Sequence, residues 1–123
     1  MNYAEMSDFE VNKAVAVALG GVATTDYRGL AIYDMGESQP LVVSQCMHSK
    51  GDFLPCNSWA DAGPIIMGNK ITILHDEQLG WCAGVAYWVD GYEFGFSKCE
   101  YAHPNPLRAA MIAFLMMQEQ PNA

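Results

Sequence analysis

Charge is scarce in this 123-residue chain: 16% of its residues are charged, against about 25% in an average soluble protein. Cations are scarcer still, with six Lys and Arg against fourteen Asp and Glu, a formal net charge of −8. So few basic residues cannot neutralise a run of phosphates, which argues against direct binding along a nucleic-acid backbone. A long apolar run is also missing. The most apolar stretch, 107–117, is interrupted by Arg108 and is about half the roughly 20 residues a membrane helix needs. The opening Met1-Asn2-Tyr3-Ala4-Glu5 has no basic region, and it turns acidic at Asp8-Phe9-Glu10 where a leader would be apolar. These absences predict a soluble cytoplasmic protein with no membrane partner. In that setting Cys46, Cys56, Cys82 and Cys99 stay reduced thiols.

Motifs that carry chemistry are equally thin. His48 follows Cys46 by two residues, while Cys56, Cys82, Cys99 and His103 are scattered, with no Cys-x-x-Cys, His-x-x-x-His or His-Glu-x-x-His spacing. No metal site is expected. Gly20-Gly21 and Gly68-Asn69-Lys70 are isolated turn signals without the glycine pattern that cradles phosphates. No cofactor is expected either. Cys46 and His48 form the one sequence-local pairing of a nucleophile with a base; in an extended chain, alternation puts them on one side. The carboxylates Asp76, Glu77, Asp90, Glu93 and Glu100 fall at turns and exposed strand positions and read as solvated charge. No residue is assigned a catalytic role.

What the chain does have is a core: 51% hydrophobic residues, within a length that suits one domain spanning 1–123. Ser7-Asp8-Phe9-Glu10 has the form of a capping box and starts a helix from about Asp8 to Leu19, stopped by Gly20-Gly21. Strands are expected at Gly29 to Tyr33 and Leu41 to Gln45. Asn57 or Ser58 caps a second helix to about Met67, short or kinked because Pro64 lies inside it. Ile71 to Leu74 and Trp81 to Val89 are strands. Asp90-Gly91 then predicts a two-residue type I′ hairpin. Counting from that turn, Val89 faces Tyr92, Tyr87 faces Phe94, Val85 faces Phe96, and on the other sheet face Cys82 opposes Cys99. Asn105-Pro106 caps a last helix that is apolar nearly all round, and the tail 120–123 frays. The expected fold is α+β, a small antiparallel sheet between helices, in the order α-β-β-α-β-β-β-α.

Four stretches carry a family resemblance: Tyr3 to Ala16, Cys56 to Ile66, Ile71 to Leu74, and Asn105 to Glu119. Together the chain resembles the NinX-like phage and prophage proteins, a family of unknown function. Ser7-Asp8-Phe9-Glu10-Val11-Asn12 and Asn105-Pro106-Leu107-Arg108-Ala109-Ala110 are the most specific parts. The latter half is also similar to the phage α-β-α sandwich domain, and residues 24–53 match nothing in either, which suggests an insertion. The resemblance implies a phage-encoded protein at work in the bacterial cytoplasm. It implies no reaction, cofactor or catalytic residue.

The leading expectation is a non-enzymatic accessory protein that binds a host or phage protein, because aromatic and Met residues are in surplus. Trp59, Trp81, Arg108, Ile112, Met116 and Met117 are the candidate interaction residues. The second reading is an acidic decoy for a nucleic-acid-binding enzyme; it calls for carboxylates spaced along one exposed face. A small enzyme built on Cys46 and His48 is third. Arg108 lies in the first turn of its helix, where a cation is disfavoured, so it requires a carboxylate partner or a ligand anion. The all-round apolar last helix requires a second surface to cover it. That surface is either another copy of the chain, giving a homodimer, or the first helix or the 24–53 segment within the monomer.

Overall fold

The computed structural model describes residues 2–45, 51–89 and 93–119. A 3-10 turn at Tyr3–Glu5 precedes helix α1 (Asp8–Ala18), whose capping box is present. The Glu10 amide donates to Ser7 Oγ at 3.1 Å, and the Ser7 amide to Glu10 Oε1 at 3.4 Å. Strands β1 (Val22–Tyr27), β2 (Leu30–Asp34) and β3 (Leu41–Ser44) follow, then α2 (Trp59–Gly68). The chain continues through β4 (Thr72–Asp76), β5 (Gly80–Val89), β6 (Glu93–His103) and α3 (Pro106–Glu119). The class is α+β in the expected helix–strands–helix–strands–helix order. The strands divide into two three-stranded antiparallel sheets, β1-β2-β3 and β4-β5-β6, because α2 intervenes between β3 and β4.

β1 has no counterpart in the sequence-based expectation. It is exposed at all six positions, so it lacks the alternation by which half-buried strands are recognised. Its turn into β2 is the type I′ signature of this chain: Arg28 and Gly29, with φ of 52° and 78°, sit between the paired Tyr27 and Leu30. Helix α2 runs unbroken through Pro64. The amide that proline lacks would have bonded the Ala60 carbonyl. Both residues are on the exposed side of the helix, which keeps that carbonyl within reach of solvent.

The register of the long hairpin differs from the expected one. Asp90 and Gly91 themselves lie outside the described residues, but Val89 pairs with Glu93, one step beyond a two-residue loop. Two irregularities between Ala83 and Ala86 add further slips, so Tyr87 faces Gly95, Val85 faces Lys98 and Cys82 faces Ala102 rather than Cys99. The slips farther from the turn centre on Gly84. A Cβ there would lie 2.8 Å from the Phe96 ring, 3.1 Å from Glu100 Cα and 3.2 Å from the Cys99 carbonyl oxygen. Only a bare Cα lets β6 bulge inward at this point, where Cys99 adopts a left-handed φ of 58°. Cys82 and Cys99 are both buried, and no disulfide joins them.

Helix α3 occupies the centre. It contacts all three strands of the second sheet together with α1 and α2, and every residue from Leu107 to Leu115 is buried. Helix α1 covers β2 and β3 in turn. One hydrophobic cluster runs through the three helices and both sheets, from Val11 and Val15 through Val43, Ile65 and Ala83 to Ile112 and Phe114. Full burial of each large side chain is worth about 1.5–3 kcal/mol. The all-round apolar character of α3 is thus satisfied within the chain. The surplus that called for a homodimer through this helix is covered by α1, α2 and a sheet.

The Gly84 contact yields a test. Gly84→Ala forces the Phe96 ring and the Glu100 backbone outward and is expected to cost about 1–3 kcal/mol, the usual range for overpacking. Urea denaturation at unchanged m-value reads it directly.

Candidate functional site

The N-terminal 3-10 turn and the start of α1 converge on Arg108 at the start of α3. Its guanidinium is buried, with 6% of the residue exposed, although it projects from the first turn of α3. Nη1 meets Asp8 Oδ1 at 2.7 Å, and Nη2 donates to the carbonyls of Tyr3, at 2.9 Å, and Met6. One side chain of α3 therefore holds the N-terminal turn and the first residue of α1. The Asp8 charge offsets the repulsion between the cation and the positive end of the α3 dipole, and it also suits the start of α1. Arg108 Nε has no hydrogen-bond partner among the described residues.

Around this ion pair lies a set of amide bonds. Asn105 caps α3, its Oδ1 accepting from the Leu107 amide at 2.9 Å and the Arg108 amide at 3.4 Å. Its Nδ2 donates to the Cys56 carbonyl at 2.8 Å, and the Cys56 amide donates to Asn12 Oδ1 at 2.9 Å. Asn12 is 1% exposed and lies on the buried face of α1 beside Val11, Val15 and Ala16. Buried polar groups need such partners, since each unmade bond costs about 1–3 kcal/mol. Next to the knot, Ser44 donates to Asp52 at 2.7 Å, and the Leu54 amide to Asp61 at 2.9 Å. A cleft of about 290 Å³ opens beside it, lined by Asp8, Phe9, Asn12, Ser44, Gln45, Leu54 and Asn57.

The electrostatics of this region favour structure over nucleophilic chemistry. Burial pushes the Cys56 thiol up to about 12, with Asp8 adding to the shift and Arg108 opposing it. Burial likewise raises the Cys82 thiol, reinforced by Glu100 and Asp76. Both stay protonated at neutral pH, where a nucleophilic cysteine would need a depressed pKa. Burial lowers the His103 imidazole, and the Arg108 charge lowers it further. Cys46 and His48, the suggested enzyme pair, lie outside the described residues. Among the described residues no three His, Cys, Asp or Glu side chains gather as a metal site, and no helix is long and apolar enough to cross a membrane.

The six candidate interaction residues do not meet. Trp59 opens α2 and is 60% exposed. Trp81 on β5 is half-buried, its ring centroid 4.9 Å from that of His75 in an edge-to-face contact. Ile112 has no exposed surface, so it is a core residue and not an accessible contact, a consequence of the central position of α3. Met116 and Met117 pack against the same core and are only partly covered. Sequence reasoning assigned Asn105 and Asp8 to ordinary helix starts and overlooked Asn12 and Cys56. The signal available was Asn12 itself, a carboxamide among apolar residues on one helix face.

The family model described as Bacteriophage P22, NinX matches residues 2–118. The chain belongs to the NinX family. No curated protein matches it. Three of the four stretches on which the NinX resemblance rests build the knot. Tyr3, Met6, Asp8 and Asn12 come from the first, Cys56 from the second, and Asn105 and Arg108 from the last.

Arg108→Ala is expected to cost about 2–4 kcal/mol. It leaves two carbonyls without their donor and opens a cavity, while half-exposed Asp8 is rehydrated. Arg108→Lys keeps the charge and cannot span all three acceptors, so it falls between wild type and Ala. Thermal unfolding of the two variants gives the ranking.

Proposed function

We propose that this NinX-family chain is a phage accessory protein that acts in the bacterial cytoplasm by binding a host or phage protein, without catalysing a reaction. The observation that carries the reading is the outer face of α2. Met67 is 80% exposed and Trp59 is 60% exposed, and the exposed residues between them include Ala60 and Pro64. None of the four is charged. Beside this face runs a groove of about 480 Å³, lined by Leu19, Leu41, Phe53, Pro64 and Ile65 with Asp61 and Asn69 at the polar positions. An exposed Trp and Met next to an apolar groove match the composition of interface cores, where charge is depleted and aromatics and Met are enriched.

The acidic-decoy reading has less support. Asp8, Asp52, Asp61 and Asp76 all accept hydrogen bonds within the chain, at helix starts, a loop and a turn. They do not form an evenly spaced row of free charge.

Affinity capture from infected cells tests the proposal, with wild type, Trp59→Ala and Met67→Lys as parallel baits. Both substitutions are at exposed positions and should leave the unfolding midpoint within about 0.5 kcal/mol of wild type. A specific partner enriched by wild type and weakened by about 30-fold or more in a variant is expected, the effect of losing an interface hot spot. Equal recovery with all three baits, or none with any, overturns the assignment to α2.

A further inference from the structure

We infer that His103 is an acid-sensitive latch on the cap of α3: a proton on its Nδ1 releases Asn105, and with it the hold of α3 on the Cys56 loop. The geometry is specific. The Asn105 amide donates to His103 Nδ1 at 2.9 Å, which requires a lone pair on that nitrogen. Asn105 in turn caps two α3 amides through Oδ1 and grips the Cys56 carbonyl through Nδ2. Those bonds depend on the orientation of one short side chain, and the imidazole sets the backbone from which it projects. Once Nδ1 is protonated, two N–H groups point at each other and the contact must open.

The charged groups acting on the ring come from the helices beside it. Arg108 of α3 opposes the extra proton; Asp8 of α1 favours it, but its carboxylate is engaged by Arg108. From the sheet, the cross-strand neighbour is Trp81 of β5, and His75 of β4 meets the indole edge-to-face. Burial and the Arg108 charge both favour the neutral ring in the closed state. The sign of the linkage follows. At pH values above the ordinary His range both states are neutral and the latch is closed. As pH falls through that range the open state takes up a proton that the closed state refuses. The closed-to-open ratio then falls by up to about tenfold per pH unit, until the lowered pKa of the closed state is reached. The device does not depend on the binding role proposed for α2.

The test uses the full chain in solution NMR, from about pH 7.5 to about pH 5, a window in which histidines dominate the titration. Protection factors for the Leu107 and Arg108 amides, corrected for intrinsic exchange, are expected to fall by up to about tenfold per pH unit from the ordinary His range down to the pH at which the His103 ring signals titrate. In His103→Asn the side-chain oxygen can accept from the amide two residues on, as in an Asx turn, and it does not titrate. That variant is expected to keep its cap protection flat across the window. Wild-type amides that stay protected while His103 titrates overturn the latch, as does an equal loss of protection in His103→Asn.

Discussion

The buried guanidinium of Arg108 is the joint on which the arrangement of this protein turns. It ties the start of α3 to the carbonyls of Tyr3 and Met6 and to the Asp8 carboxylate, joining residues separated by about a hundred positions in the chain. Placing a cation at a helix N-terminus in the interior is unfavourable on two counts, desolvation and the helix dipole. Here both are met by partners that are themselves fixed, one by the α1 capping region and two by the backbone of a 3-10 turn. Removing any element of the set leaves another polar group stranded. That interdependence gives the N-terminal turn, α1 and α3 a single relative placement.

From this joint the remaining architecture follows. With its first turn anchored, α3 runs between the second sheet and the pair α1 and α2, and its alanines let the neighbours approach closely on several sides. Ala109, Ala110 and Ala113 have no exposed surface. From Leu107 to Leu115 this helix is buried within the chain. Uncovered apolar surface is present on α2, where Trp59 and Met67 face outward beside the groove. The interior thus moves the candidate binding surface from the most apolar helix to a shorter and less conspicuous one.

The NinX stretches have a physical reading in the same terms. Residues far apart in sequence are linked because buried amides and a buried cation demand specific partners, whereas apolar neighbours tolerate exchange. Asn12, Asn105 and Arg108 are of the first kind. Their convergence gives those stretches a role in folding.

Local rules determined much of this protein from the sequence alone. The capping box at Ser7, a cap at Asn57 or Ser58, the Asn105 cap, the α+β order and the demand of Arg108 for a carboxylate or an anion all depend on contacts within a few residues or on one unbalanced charge. The other features depend on contacts between distant segments. The register of the long hairpin needed the bulge opposite Gly84, where the missing Cβ admits the backbone of β6. The first pair already departs from the expected one, Val89 pairing with Glu93, and no turn signal can report the further slips along the strands. β1 escaped because a strand exposed on both faces carries no periodicity. The partner of Arg108 and the burial of Ile112 were decided by which segments fold over α3. The apolar count of a helix states that it must be covered, but a homodimer and an intramolecular cover satisfy that demand equally. Only the tertiary structure chooses between them.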